Sequence, residues 1–388
     1  MRPAGWWWVL LALPLLGASP ARFREHVLAT ELKGGYQVVP LDVNRDGQAD
    51  LVALASGMSE LVWFEGPRWE RRVLASGMSR MINLTSCSSD AGGYPEIVVA
   101  HAFENEAKRS LGTVSVLRRA GDPLQPWTVT EIDRLPTSHR LRCADFDGSG
   151  KPVVVNAPLT GIRAEKPDFR DQVPLVYYRP GEWKRHLIGE ENEGVMHGID
   201  VYDWDGDGRD DILTASFSGI HAYCLGQSGR WRRLEIAKGD PSPWPRSGAS
   251  DVTVGRLGKR RFLASIEPWH GNQVAVYRQN RGGWVRQVID DTLVDGHTIA
   301  AADLNNDGLD EIVAGYRGAG RSVHIYYAGD PEGRSWSRTV LDNGGIAAAS
   351  CVAVDLNGDN RPDLTCIGSA TANLKWYENL GNVTPGSP

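Results

Sequence analysis

The chain of 388 residues has no basic excess: 42 Lys and Arg stand against 48 Asp and Glu, a net charge of −6. It lacks the electrostatic footprint of a nucleic-acid binder, so no nucleic-acid partner is expected. Cysteine is scarce. The five (Cys87, Cys143, Cys224, Cys351 and Cys366) show no metal-site spacing, cannot all pair with one another, and mostly fall within predicted strands. They read as small buried hydrophobes. After residue 21 no apolar run approaches the ~20 residues that span a bilayer, and a membrane-embedded chain is excluded. The run from Trp6 to Leu16 is also too short to span. It follows Met1-Arg2, precedes the small residues Ala18-Ser19-Pro20-Ala21, and so reads as a secretory leader over residues 1–21. No cysteine stands beside the cleavage point to carry a lipid. The protein is therefore expected to be secreted or periplasmic.

What is present is a repeat. An aromatic followed five residues later by an aliphatic recurs at Phe23, Trp69, Trp127, Trp183, Trp231, Trp284 and Trp336, without a miss. Each copy leads into a small-residue or β-branched strand, a turn, a short apolar run and a third strand ending in aromatics. Four strands in about 50 residues form the blade of a propeller. The fold expected is all-β: a seven-bladed propeller of four-stranded antiparallel blades over residues 22–381, with a short tail at 382–388. Phase settles its closure. The chain opens on a fourth-type strand, Phe23 to Leu28, and ends on a third-type strand, Leu374 to Glu378. The first strand can complete the last blade and leave no open edge.

Four of the first-to-second-strand turns follow D-x-[DN]-x-D-[GN]-x-x-[DE]. They are Asp42-Asn44-Asp46-Asp50, Asp203-Asp205-Asp207-Asp211, Asp303-Asn305-Asp307-Glu311 and Asp355-Asn357-Asp359-Asp363. Alternating oxygens at positions 1, 3 and 5 with a carboxylate at 9 can wrap a hard cation, and Ca2+ suits flexible oxygen ligands better than Mg2+. A structural Ca2+ is expected in these loops; the competing reading is plain Asx turns without an ion. A fifth loop, Asp145-Asp147-Ser149, has Val153 where the final acid should stand, and the turns near Asp90 and Gly255 have lost the pattern. These loops and strands resemble the FG-GAP or VCBS repeats of integrin-α-type propellers. That resemblance implies the fold and the calcium; it leaves function open, since the fold hosts both binding and catalysis.

Counting six residues back from the first Asp of each loop gives Tyr36, Arg80, His139, His197, Ser247, His297 and Ala349. These are expected to ring one mouth of the central channel. Three of the chain's nine histidines fall in this set, and His101 and His270 emerge on the same face. Long connections carrying Arg109, Arg163, Lys166, Trp244, Arg246, Glu267 and Trp269 belong to that face as well. Imidazoles gathered at one mouth and walled by Trp and Arg point to a polar ligand beside a transition metal.

The stretches 197-HGIDVYDWDGDGRDDIL, 267-EPWHGNQVAVY and 295-DGHTIAAADLNNDGLDEIVAGYRG are similar to the propeller domain of aldos-2-ulose dehydratases. That family removes water from keto-sugars such as 1,5-anhydrofructose, with a metal in the propeller cleft and a His base. Nothing in the chain resembles the family's cupin and lectin-like portions, so an isomerase step housed there is not expected. The residues fit the chemistry independently. Elimination of a hydroxyl β to a ketone needs a base at the α-carbon and an electrophile on the carbonyl oxygen. The roles expected are His139 as base; His197, His270 and His297 as ligands of a divalent transition metal such as Zn2+; and His101 and Arg80 orienting substrate. Tyr36, Glu267 and Trp269 line the site for a small carbohydrate ligand. The rival reading is a non-catalytic carbohydrate- or protein-binding propeller. Oligomeric state leaves no mark in the sequence.

Overall fold

The computed structural model describes residues 19–87, 95–119, 121–122 and 124–382. Most of the expected leader, the turn near Asp90 and residues 383–388 of the tail lie outside them. The described residues form 28 strands in seven antiparallel four-stranded sheets. Six blades are built from consecutive strands. The seventh takes its outermost strand, Ala21–Ala29, from the start of the chain and pairs it with Leu374–Asn382. Phe23 stands opposite Asn379, and Val27 opposite Lys375. The ring closes as the repeat phase predicts.

Burial explains why the strands read differently. The second strand of a blade, such as Asp50–Ala55 or Asp211–Ser216, is buried along its whole length. Blades stack face to face, both sides of that strand are covered, and the sequence is a continuous apolar run rather than an alternation. Outermost strands such as Trp231–Ala237 mix exposed and half-buried positions instead. The apolar clusters lie between neighbouring blades. One joins Val52, Leu54 and Trp63 of blade one to Leu84, Ile97 and Val99 of blade two.

The innermost strands carry the feature that positions the site. Five of them have a register shift at their second residue: at Tyr36, between Gly35 and Gln37; and likewise at His139, His197, His297 and Ala349. One extra residue there is a β-bulge, which re-aims a side chain that the regular pleat would hold against the sheet. Blades two and five pair without the bulge, along Asn83–Ser86 and Asp251–Leu257. The expected seven-membered ring is accordingly corrected. Arg80 precedes its strand in a positive-φ turn (47°), and Ser247 is tied through its hydroxyl to the Phe217 carbonyl.

The cysteines correct a second expectation. Cys87–Cys143 and Cys351–Cys366 are disulfides with Cα separations of 5.4 and 4.1 Å. The second joins residues directly opposite in neighbouring strands of blade seven. Only Cys224 remains a buried thiol, as read from the sequence.

Candidate active site

The bulges bring His139, His197 and His297 together, although 158 residues separate the first from the last. The rings of His139 and His197 are 4.9 Å apart between centroids, and those of His197 and His297 are 5.0 Å apart. His270 joins them from the loop after the second strand of blade five, 4.8 Å from His197 and 5.2 Å from His297. It sits at φ 50°, a strained conformation for a side chain with a Cβ, and its backbone N–H donates to Ser250 Oγ at 3.2 Å.

An oxygen acceptor stands beside Nδ1 in each of the three candidate ligands, joined at His270 by Arg317 Nη2 at 3.3 Å. His197 Nδ1 donates to the Ser250 carbonyl at 3.1 Å, and His297 Nδ1 to the Ala349 carbonyl at 2.6 Å. His270 Nδ1 lies 3.1 Å from the Asp295 carboxylate. The Nε2 lone pairs are thereby left for the common centre. His197 Nε2 and His270 Nε2 are 3.1 Å apart, and His297 Nε2 is buried without a hydrogen-bond partner among the described residues. Ligand nitrogens of the three lie within 4.8 Å of one another. Converging lone pairs repel unless a cation stands between them, and oxygen acceptors behind each Nδ1–H are how proteins orient metal-bound histidines. The donor set fits a divalent transition metal and not calcium.

His139 stands beside this trio. Its Nε2 is 2.8 Å from Tyr36 Oη and 3.4 Å from the Arg140 guanidinium, which also lies over the Tyr36 ring. Burial, reinforced by the Arg140 charge, holds His139 and His197 well below the ordinary imidazole pKa. Burial and Arg317 do the same to His297. For His270 burial also wins, although Asp295 pulls the other way. Burial pushes the Asp295 carboxyl up, but bonds from His270 and the Arg317 fork outweigh it and hold it at about 2.

A pocket of about 410 Å3 opens over Tyr36, His139, His197, His270 and Arg317, lined also by Arg80, Phe103, Glu104 and Trp269, while His297 lines the adjoining cavity along the inner strands. Trp269 packs on His270, ring centroids 4.9 Å apart. The long connections form one continuous wall. Lys108 pairs with Glu165 and Lys166 with Glu106, Trp244 Nε1 donates to the Asp168 carbonyl, and Phe169 and Phe217 pack against Trp269. Arg163 is taken by Asp171 and Arg109 by Glu104, so both brace the wall.

Two expected site residues are not brought here. His101 Nε2 faces Ser115 Oγ at 2.9 Å, within its own blade. Glu267 is fully buried between Tyr277 Oη (2.5 Å) and Arg286 Nε (2.7 Å). Arg80 does line the pocket, paired with Glu104. Sequence reading missed Asp295, Arg317, Arg140 and Ser250. Asp295 stands two residues before His297, the one signal available, but lone acids in turns are commonplace.

One observation decides what this cluster is comparable with: four histidines converge under a wall contributed by blades two to five. Residues 111–280 match the family model "Aldos-2-ulose dehydratase, beta-propeller domain". Residues 303–366 match an FG-GAP-like repeat. The aldos-2-ulose dehydratase of Phanerodontia chrysosporium is 29% identical over 238 residues, covering 54% of this chain. The chain spans only 26% of that relative's length. Among solved structures, rhamnogalacturonan lyase YesW superposes with a TM-score of 0.50 at 15% identity over 94% of this chain and 75% of that one. The exotype rhamnogalacturonan lyase YesX gives 0.53 at 14% over 95% and 76%. At such identity the two structures speak for the fold alone: a propeller.

At the other end of the inner strands, the Asp loops share one conformation. Asp42 accepts from the backbone N–H groups of Asp46 and Gly47, and Asp46 also bonds to Asn44 Oδ1. The same bonds recur at Asp303 and Asp355, and Asp203 likewise accepts from Asp207 and Gly208. The fifth loop, at Asp145, keeps the turn without its ninth acid. Asp50, Asp211, Glu311 and Asp363 are buried at the ninth position. Burial raises them, Asp50 and Asp211 to about 6 and Glu311 to about 8. Carboxylates of Asp203, Asp205 and Asp207 crowd within 4.8 Å. An all-oxygen donor set fits Ca2+, although arginines also pair with Asp205, Asp207 and Asp359.

Proposed function

We propose that this chain is a carbohydrate-active carbon–oxygen lyase, a metal-dependent eliminase that removes water from keto-sugars such as 1,5-anhydrofructose. The single observation that carries this reading is the convergence of three fixed Nε2 atoms beside an independently held His139–Tyr36 pair. The match to the dehydratase propeller supports the reaction class. His197, His270 and His297 would hold a divalent transition metal such as Zn2+, which supplies Lewis acidity toward the ketone oxygen.

The chain's own residues do the rest. His139, with Tyr36 hydrogen-bonded to its Nε2, takes the proton from the α-carbon onto the imidazole and returns it to the departing β-hydroxyl. The C–H electron pair becomes the new C=C bond, and the β-hydroxyl leaves, protonated, as water. Trp269 offers the sugar an apolar face, Arg80 a cationic hydrogen-bond donor, and the wall of blades two to five excludes bulk water. Glu267 and His101, set apart by the geometry, have no part in this scheme.

Incubation with 1,5-anhydrofructose is expected to produce an enone absorbance in the ultraviolet. The signal should disappear from metal-stripped protein and return with a transition metal but not with calcium. A fully metallated protein that eliminates nothing across a broad keto-sugar panel would instead be a binding propeller.

The Asp loops are proposed to hold structural calcium. An ion bound only by the folded state stabilises it by mass action, about 2.7 kcal/mol per site at a hundredfold excess over Kd. Chelation is therefore expected to lower Tm. Asp205→Ala should reproduce part of that loss and leave elimination intact, because the loop lies at the far end of the inner strands. An unchanged melting curve in chelator, with metal analysis finding no calcium, would leave plain Asx turns. Export to a secreted or periplasmic location accords with two disulfides, which persist in oxidising compartments.

A further inference from the structure

The turn between the first two strands of blade five departs from its counterparts. Where four blades place an Asp loop, residues 255–261 place Arg256, Lys259, Arg260 and Arg261 and no acid. The turn is tight, with Gly258 at φ 62°, and it packs on the next blade through a Leu257–Leu309 bridge. Beside it opens a groove of about 860 Å3, reached also by Arg278 and by Arg334 of blade six. That volume lies within the ~300–1,000 Å3 typical of ligand sites.

Six cationic side chains line this groove against one carboxylate, Glu332, in a chain whose overall charge is negative. Glu332 is shared between Arg260 at 3.6 Å and Arg334 at 3.1 Å, and Arg334 also meets Asp330, outside the groove lining, at 3.4 Å. Arg261 is held in place by the Trp204 carbonyl at 2.5 Å and stacks over the Trp204 ring at 3.9 Å, with no carboxylate. Arg278 meets only the amide oxygen of Gln287, and its buried Nε has no partner among the described residues. The nearest acid of the neighbouring loop, Asp310, is taken by the backbone N–H of Arg256 rather than by its guanidinium. Like charges gathered with so few counter-charges are unfavourable alone. Guanidinium forks held in this way match the paired oxygens of carboxylate and sulfate groups.

We infer that this groove binds an anionic oligosaccharide through its carboxylate or sulfate groups. The charge follows from the groove itself; the choice of a sugar rests on the carbohydrate reading above. The groove lies at the opposite end of the inner strands from the histidines, so it is a separate site and not an extension of the first.

The test is calorimetric titration of the full chain with oligogalacturonate, dextran sulfate, neutral dextran, inorganic phosphate and a single-stranded DNA oligonucleotide. Oligogalacturonate and dextran sulfate are expected to bind, more weakly at high salt because exposed charges are screened, and neutral dextran is not. The triple variant Arg256→Ala, Lys259→Ala, Arg260→Ala should bind at least about tenfold more weakly, since each lost cation removes a charge-assisted contact. It should keep keto-sugar elimination. Lys259→Glu, a single exposed change, should act in the same direction if the triple variant does not fold. His197→Ala should bind the anionic sugars like the parent, which separates failure of the eliminase reading from failure of this one. Parent-like binding by Lys259→Glu and the triple variant, no binding of either anionic sugar, phosphate binding as tightly as the oligomers, or DNA binding more tightly than both would each overturn the inference.

Discussion

Replacing His139 by alanine is expected to lower keto-sugar turnover by about 10²–10⁴-fold, the usual contribution of a positioned base, while bound transition metal stays at the parent level. His197→Ala and His297→Ala are expected to lose turnover and metal together. The distinction follows from what each Nε2 faces. His139 Nε2 is engaged by Tyr36 Oη at 2.8 Å and stands outside the converging trio. Removing its imidazole takes away a proton acceptor and leaves three nitrogens in place. His197 and His297 point theirs at the common centre, with each Nδ1 committed to a backbone carbonyl. Loss of either empties a third of the ligand set. Metal content by mass spectrometry and turnover by enone absorbance give the two readouts. If His139→Ala loses metal as fully as His197→Ala, His139 is a ligand and the base lies elsewhere.

His139, His197 and His297 were legible because the repeat gives every blade a common origin, whereas His270 was marked only by the face on which the turn after its blade's second strand emerges. Counting from the Asp loop lands on the bulge wherever that loop survives, as at Tyr36, His139, His197, His297 and Ala349. It fails in blades two and five, whose loops have degenerated and whose inner strands pair without the extra residue. Arg80 and Ser247 were placed in the ring for that reason. The bulge itself writes nothing into the sequence beyond the residue it exposes.

The residues behind the ligands were not legible. Asp295, Arg317 and Ser250 act through contacts made only when blades four to six close on one another. Nor does spacing mark the disulfides, since Cys87 and Cys143 meet across neighbouring blades, 56 residues apart. Glu267 misled for a related reason. A glutamate near a Trp and a His reads as a site residue, yet here it belongs to a series of acid–tyrosine–cation groups, at least partly buried, that recurs around the ring. Asp133 accepts from Tyr178 and Arg185, and Asp290 from Tyr326 and Arg338. Each of these acids ends the outermost strand of one blade, and its donors come from the next. Glu267 serves Tyr277 and Arg286 within blade five instead.

The last member of that series gives the largest expected loss of stability. Asp342 is 4% exposed and ends the outermost strand of blade six. It accepts from Lys375 Nζ at 2.7 Å and Tyr377 Oη at 2.7 Å, both on the third strand of blade seven. Lys375 also reaches Glu25, at 3.0 Å, on the strand that closes the ring. One carboxylate therefore helps tie blade six, blade seven and the closing strand. Asp342→Ala is expected to cost about 3–5 kcal/mol, because it leaves a buried ammonium without its main counter-charge. The double variant Asp342→Ala, Lys375→Met should recover most of that loss, since removing both charges also removes the need to compensate either. Burial pushes the Asp342 carboxyl up, but the bonds from Lys375 and Tyr377 outweigh it and hold the group below its ordinary value. A depressed carboxyl stabilises the fold above its unfolded pKa of about 3.9, and that contribution fades as pH falls through the folded value. The gap between parent and Asp342→Ala in urea denaturation should accordingly stay level from about pH 7 to pH 5 and narrow in more acid solution. A single-variant loss below about 1 kcal/mol, no more than an exposed ion pair contributes, would show that the seam is held by packing alone.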